Sequence, residues 1–111
     1  MGNTEFPLIA WLIFLAAAVL EVGGDAVVRK GLRGGVWTYV LLGCLMLAVY
    51  GVVVNLVKWD FSKLLGVYVA VFATVSILAG RFLFREDVAV TTWAGVAIIV
   101  VGGLVIQFGQ R

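Results

Sequence analysis

The sequence predicts an all-α integral membrane protein: a single domain, residues 1–111, of four membrane-spanning helices bundled together and working as a dimer. Three observations predict it. Of 111 residues, 64% are hydrophobic and 13% charged, with a mean hydropathy of +1.18; soluble domains average about 45–50% apolar and about 25% charged residues. Four apolar runs each reach the about 20 residues that a bilayer core of about 30 Å demands of a helix. The connectors between them are short, charged and rich in turn-compatible residues. So few ionisable side chains cannot clothe a compact domain in water, which excludes an ordinary soluble enzyme. Disorder is excluded as well, since it needs low hydrophobicity and high net charge.

The first run starts at Phe6, with a helix expected over 7–28, interrupted by Glu21 and Asp25. No Lys or Arg precedes it, so it lacks the positive start of a signal peptide and is expected to be retained as a helix. The second helix, 36–56, carries no charge, the third, 64–84, carries only Arg81, and the fourth, 88–108, again carries none. Their connectors read RKGLRGG, VKWDFSK and RED. Membrane strands would alternate apolar and polar residues over about 10 positions, and no such alternation occurs. Lipid admits only helices and closed barrels, so four helices follow. Four spans put both termini on one side. Lys58, Lys63 and Arg111 share that side; Arg29, Lys30, Arg33, Arg81 and Arg85 share the other. The excess of positive charge places the RKGLRGG and RED connectors in the cytoplasm by a small margin, which leaves insertion in one or both orientations open. The expected location is a cell (inner) membrane, crossed several times.

Small residues recur at intervals that let helices approach closely. Gly23 and Gly24 lie in the first helix, Gly43 and Gly51 in the second, and Gly66, Ala70 and Thr74 are spaced by four in the third. Gly95 and Gly102 lie a heptad apart in the fourth and are candidates for a dimer contact, against the alternative of packing within one chain. Four short helices enclose little volume, so a solute carrier of this size needs a partner to enlarge its cavity.

Glu21 is the strongest candidate for chemistry. It precedes Arg29 by eight residues, about 12 Å along a helix, which sets it near mid-bilayer. Ionisable residues at that depth cost about 2.5–3.5 kcal/mol for Asp or Arg on insertion scales, and by default they face the bundle interior or a wet cavity. Such a carboxylate can exchange a proton for a cation; the structural alternative is a Glu satisfied by Tyr50 or Tyr68. Asp25, one turn on and on the same face, is expected to pair with Arg81 or Arg29. Tyr68 and Phe72, four apart, and Tyr50 suit a cationic or amphipathic solute through their ring faces, or else belong to the core. Trp11, Trp37, Trp59 and Trp93 fall near helix ends and are assigned to the interfacial belt. No histidine is present, Cys44 is the single cysteine, and no phosphate loop, dinucleotide fingerprint or zinc-protease motif occurs. No enzyme activity, metal, cofactor or nucleic-acid partner is expected.

The stretches VLEVGGDAVVRKG, GRFLFREDV and TWAGVAIIVVGGLVI together resemble the small multidrug resistance family of the drug/metabolite transporter superfamily, over essentially the whole chain. The resemblance implies an antiparallel homodimer in which two first-helix glutamates share one site, where proton and substrate compete. Glu21 then carries over as the coupling acid of a proton antiporter for multidrug efflux. The third helix departs from the family pattern: it begins DFSKLLGVYVAVF, without the usual Pro, and either Tyr68 or Phe72 matches the family's site aromatic. Flippase subunits for lipid-linked head groups share the four-helix form and supply an alternative function. A paralogue heterodimer, or a non-transporting membrane scaffold, are the remaining alternatives.

Overall fold

The structure, a computed structural model of the chain, describes residues 7–109. The expected beginning at Phe6, the tail beyond Gly109 and the Arg111 charge lie outside these residues. Four helices account for nearly all of them: α1, Pro7–Gly34; α2, Trp37–Val54; α3, Phe61–Leu78, continued by a five-residue π-helical turn, Ala79–Leu83; and α4, Val90–Gly109. All four spans are long and apolar enough to cross a membrane. α1 packs against both α2 and α3, and α4 packs on α3, so the helices run in the order α2–α1–α3–α4. The described residues extend over 49 × 33 × 19 Å. The shortest dimension is under two helix diameters of about 10–12 Å each, so the bundle is flattened and does not surround a central space.

Helix ends differ from the expected ones for local reasons. α1 runs six residues past Val28, because Arg29, Lys30, Leu32 and Arg33 are good helix formers once the chain leaves the hydrocarbon. It stops at Gly35, which adopts a left-handed φ of 69° while the Val36 N–H donates to the Gly31 carbonyl at 2.9 Å. That pattern is a Schellman stop, and glycine is the residue that takes the left-handed position without strain. The connector to α2 is therefore two residues rather than the charged RKGLRGG segment. α3 starts three residues early, at Phe61, where Leu64 N–H bonds the Asp60 carbonyl at 2.8 Å.

The buried centre comprises Ala10, Phe14, Ala17 and Ala18 of α1, Val54 and Val57 at the end of α2, and Leu64, Val67 and Tyr68 of α3. Alanines on α1 let both neighbours approach. Farther along, glycines do the same. A Cβ added to Gly43 would stand 2.7 Å from the Gly24 carbonyl oxygen, and one added to Gly31 would stand 2.7 Å from the Val40 nitrogen. Between α3 and α4, a Cβ on Gly103 would come within 2.6 Å of the Ala70 Cβ, and one on Gly66 within 2.6 Å of Ile106 Cδ1. Gly24, Gly31, Gly43 and Gly66 thus serve packing within one chain, whereas Gly51 has nothing within 4 Å of an added Cβ. Without a hydrophobic drive between helices in lipid, this close approach supplies the attraction. Thr74 and Ser76 hydroxyls donate to the Ala70 and Phe72 carbonyls, each at 2.8 Å, so neither is left unpaired in hydrocarbon.

Gly43→Val is expected to lower stability by about 1–3 kcal/mol, the usual cost of forcing bulk into a filled contact. Unfolding in mixed detergent against the parent chain measures it, and an unchanged midpoint would show that α1 and α2 are not in tight contact there.

Candidate functional site

Glu21 lies seven residues beyond Phe14 and three or four beyond Ala17 and Ala18, so it shares the α1 stripe that faces α3. There the Tyr68 hydroxyl donates a 2.7 Å hydrogen bond to Glu21 Oε1. Tyr68 is itself only 3% exposed, which fixes the donor. Its ring meets Phe14 edge-on at 5.8 Å between centroids, and Tyr50 and Phe72 flank it at 5.7 and 6.3 Å, both tilted by 31°. Three helices therefore meet on one carboxylate. Of the two tyrosines open as partners, Tyr68 donates the 2.7 Å bond, and the Tyr50 ring lies tilted against Tyr68. Because α3 begins at Phe61, Tyr68 sits seven residues, about 10 Å, inside the helix and well clear of the interface.

The Glu21 carboxylate accepts the Tyr68 hydroxyl within a largely apolar surround. The aromatic faces next to it supply partial negative charge and apolar contact. The arrangement thus sets one carboxylate and three aromatic rings at a single position.

Next to this cluster a cavity of about 660 Å3 opens between α1 and the far end of α3. Phe72 belongs to both, since it flanks Tyr68 and also lines the cavity. Asp25 lines it too, with Arg29, Lys30 and Arg33 from α1 and Glu86 from the connector after α3. Glu86 is a residue that sequence spacing missed. The π-helical turn brings it back: Phe84 N–H bonds the Ala79 carbonyl at 3.1 Å, Arg85 takes a left-handed φ of 56°, and Glu86 N–H returns to the Gly80 carbonyl at 2.9 Å. A Cβ on Gly80 would come within 2.6 Å of Glu86 Oε1, so glycine makes the space for that carboxylate.

The structure does not bring Asp25 and Arg81 together. Gly80 faces the cavity, whereas Arg81 is exposed beside it with its guanidinium 5.5 Å from the centre of the Phe82 ring. Arg81 lies thirteen residues past Tyr68, which at about 100° per residue sets it roughly 220° around the axis, off the face that meets α1. Two tryptophans also depart from the expected belt. Trp11 and Trp59 both meet Phe14 edge-on, at 6.3 and 5.4 Å, and pack against the buried centre. Trp37 and Trp93 are exposed near helix ends, as a belt requires. Gly95 and Gly102 have nothing within 4 Å of an added Cβ, so neither is used inside the chain.

Comparison with known proteins agrees with this architecture. The family model described as "Uncharacterised BCR, YnfA/UPF0060 family" matches residues 8–111. The UPF0060 membrane protein YfjF of Bacillus subtilis is 33% identical over 106 residues, covering 94% of this chain and 97% of its own. A UPF0060 membrane protein of Synechocystis is 33% identical over 102 residues, covering 90% and 94%, and one of Frankia casuarinae is 40% identical over 106 residues, covering 90% and 93%. No solved structure matches significantly. With its four membrane-crossing helices and a match along almost its whole length, the chain belongs to the UPF0060 (YnfA) family of multi-pass membrane proteins.

Proposed function

We propose that this protein is a small proton-coupled transporter of the small multidrug resistance type, exporting a cationic or amphipathic solute, with Glu21 as the coupling acid. The observation that carries the reading is the Tyr68–Glu21 hydrogen bond inside the Tyr50, Phe72 and Phe14 rings, in the middle of an apolar helix. A structural Glu needs a partner but not an adjoining cavity with an aromatic wall, and Phe72 connects the two here. The working unit in this reading is a homodimer, antiparallel in line with the small charge bias. α4 supports it: the helix touches chiefly α3, and its Gly95 and Gly102 stripe is unoccupied. A flippase for a lipid-linked head group is the second reading, favoured by the three basic side chains lining the cavity.

Purified protein in liposomes, given an inward-directed gradient of a tetraalkylammonium or aromatic cation, is expected to drive protons outward. Absence of proton movement for every cation and lipid head group tried would overturn transport. Tyr68→Phe keeps the ring and removes the donor to Glu21. A hydrogen bond to a charged group is worth about 1.5–3 kcal/mol, so coupled flux is expected to change about tenfold or more, with helical content retained. Parent-like flux across the pH range would show that the bond is incidental to coupling.

A further inference from the structure

The cavity beside the Glu21 site has charges that a proton–cation exchange does not employ. Its α1 wall carries Asp25, Arg29 and Arg33 at intervals of four, one stripe on one helix face, and Glu86 stands on the connector across from it. Lys30 is taken up by the Tyr39 ring, 5.6 Å from its centre. Arg29 and Arg33 are exposed, and among the described residues neither guanidinium takes part in a hydrogen bond, an ion pair or a ring contact. Basic residues at a helix C-terminus complement its dipole, which explains why cations end α1. It does not explain why two of them line a cleft together with two unpaired carboxylates.

We infer that this cavity binds a zwitterionic, phosphate-bearing amphiphile, with its oxyanion on Arg29 and Arg33, its amine towards Asp25, and its apolar body against Phe72 and Phe84. Guanidinium forks match a phosphate in geometry, and two of them four residues apart on a helix are neighbours able to share one. Asp25 lies four residues, about 6 Å, deeper than Arg29, a span that a phosphoethanolamine-type head bridges from phosphate to amine. A purely anionic head would leave both carboxylates facing like charge, and a purely cationic one would leave the guanidiniums so. Val22, Val27, Phe72, Phe84 and Ala79 make the remaining lining apolar, which suits a head group attached to a chain over a free one. The inference goes beyond the proton-coupling reading; it shares Phe72 with that site, but its charged contacts are other residues.

The test uses the full-length protein in an uncharged detergent, incubated separately with phosphatidylethanolamine, phosphatidylglycerol, free phosphoethanolamine and inorganic phosphate. Bound ligand is read by native mass spectrometry. Phosphatidylethanolamine is expected to be retained above the other three. Replacing Arg29 and Arg33 together by Gln is expected to cut that retention by about tenfold or more, the loss of a charge-assisted bond. Replacing Arg81 and Arg85 together by Gln removes the same charge from the same membrane side but outside the cavity, and retention should persist. Should the Arg29 and Arg33 variant fail to fold, Ser76→Leu, which fills the cavity without altering its charge, is expected to lose retention as well. Equal retention of phosphatidylglycerol, stronger binding of either water-soluble probe, an equal loss in the Arg81 and Arg85 variant, or undiminished retention in Ser76→Leu overturns the inference. Retention is read without a proton gradient, so its failure leaves the role of Glu21 standing, and loss of coupling in a Glu21 variant leaves the lipid site standing.

Discussion

Glu21→Gln is expected to reduce proton-coupled transport to background while the four helices remain folded. Gln nearly matches Glu in shape, and its Oε1 can still accept the Tyr68 hydroxyl now donated at 2.7 Å. The ring cluster of Phe14, Tyr50, Tyr68 and Phe72 does not depend on the charge, so packing is retained. What disappears is titration. A group that cannot take up a proton cannot release one when a cation arrives, and the only other carboxylate on the described part of α1, Asp25, lies a turn away on the cavity wall. The measurement is substrate-driven current in liposomes, with circular dichroism as the control for folding. A Gln variant carrying the parent's current would remove Glu21 from the coupling step.

In the proposed dimer, Gly102→Leu is expected to shift the protein to monomer in detergent without unfolding it. Nothing lies within 4 Å of a Cβ built on Gly102, so the single chain has room for the larger side chain. Gly103, its neighbour, is buried against Ala70 and holds α4 to α3. The two adjacent glycines, about 100° apart around the helix axis, therefore face different surroundings. If the Gly95 and Gly102 stripe meets a second copy, a leucine there holds the partner off by the width of a side chain. A gap of even 0.5–1 Å forfeits roughly a quarter to a half of each pairwise dispersion well, and in lipid no hydrophobic effect compensates. Cross-linking and sedimentation in detergent read the outcome. A variant that cross-links as efficiently as the parent would place the dimer contact elsewhere.

Much of the architecture was legible from residue order alone, and its limits are instructive. The four spans followed from run length, because hydrocarbon leaves a chain no way to satisfy its backbone other than by helices of that length. The depth of Glu21 followed from its distance to Arg29. The true end of α1 was less legible: RKGLRGG reads as a connector by charge, yet its residues favour helix, and Gly35 stops it. Trp11 and Trp59 were misread because a position near a helix end predicts an interfacial ring only if no neighbouring helix is there to cover it. Phe14 covers both.

What the sequence by itself determined was therefore the element count, the membrane as solvent and the presence of an acid midway along the first apolar span. These depend on composition and on distance along a single helix. Only the tertiary structure decided that Tyr68 donates to Glu21, and that Asp25 faces a cavity shared with Glu86 instead of pairing with Arg81. It also decided that Gly24, Gly43 and Gly103 are consumed within the chain, whereas Gly95 and Gly102 are left open. The physical reason is rotational. Spacing says which residues share a face of a helix, but not which neighbour that face meets. In water the apolar stripe points to the core and settles the question, whereas in lipid every face is apolar and hydropathy loses its direction. The π-helical turn after Leu78 then folds Glu86 back onto Gly80, which no periodicity announces.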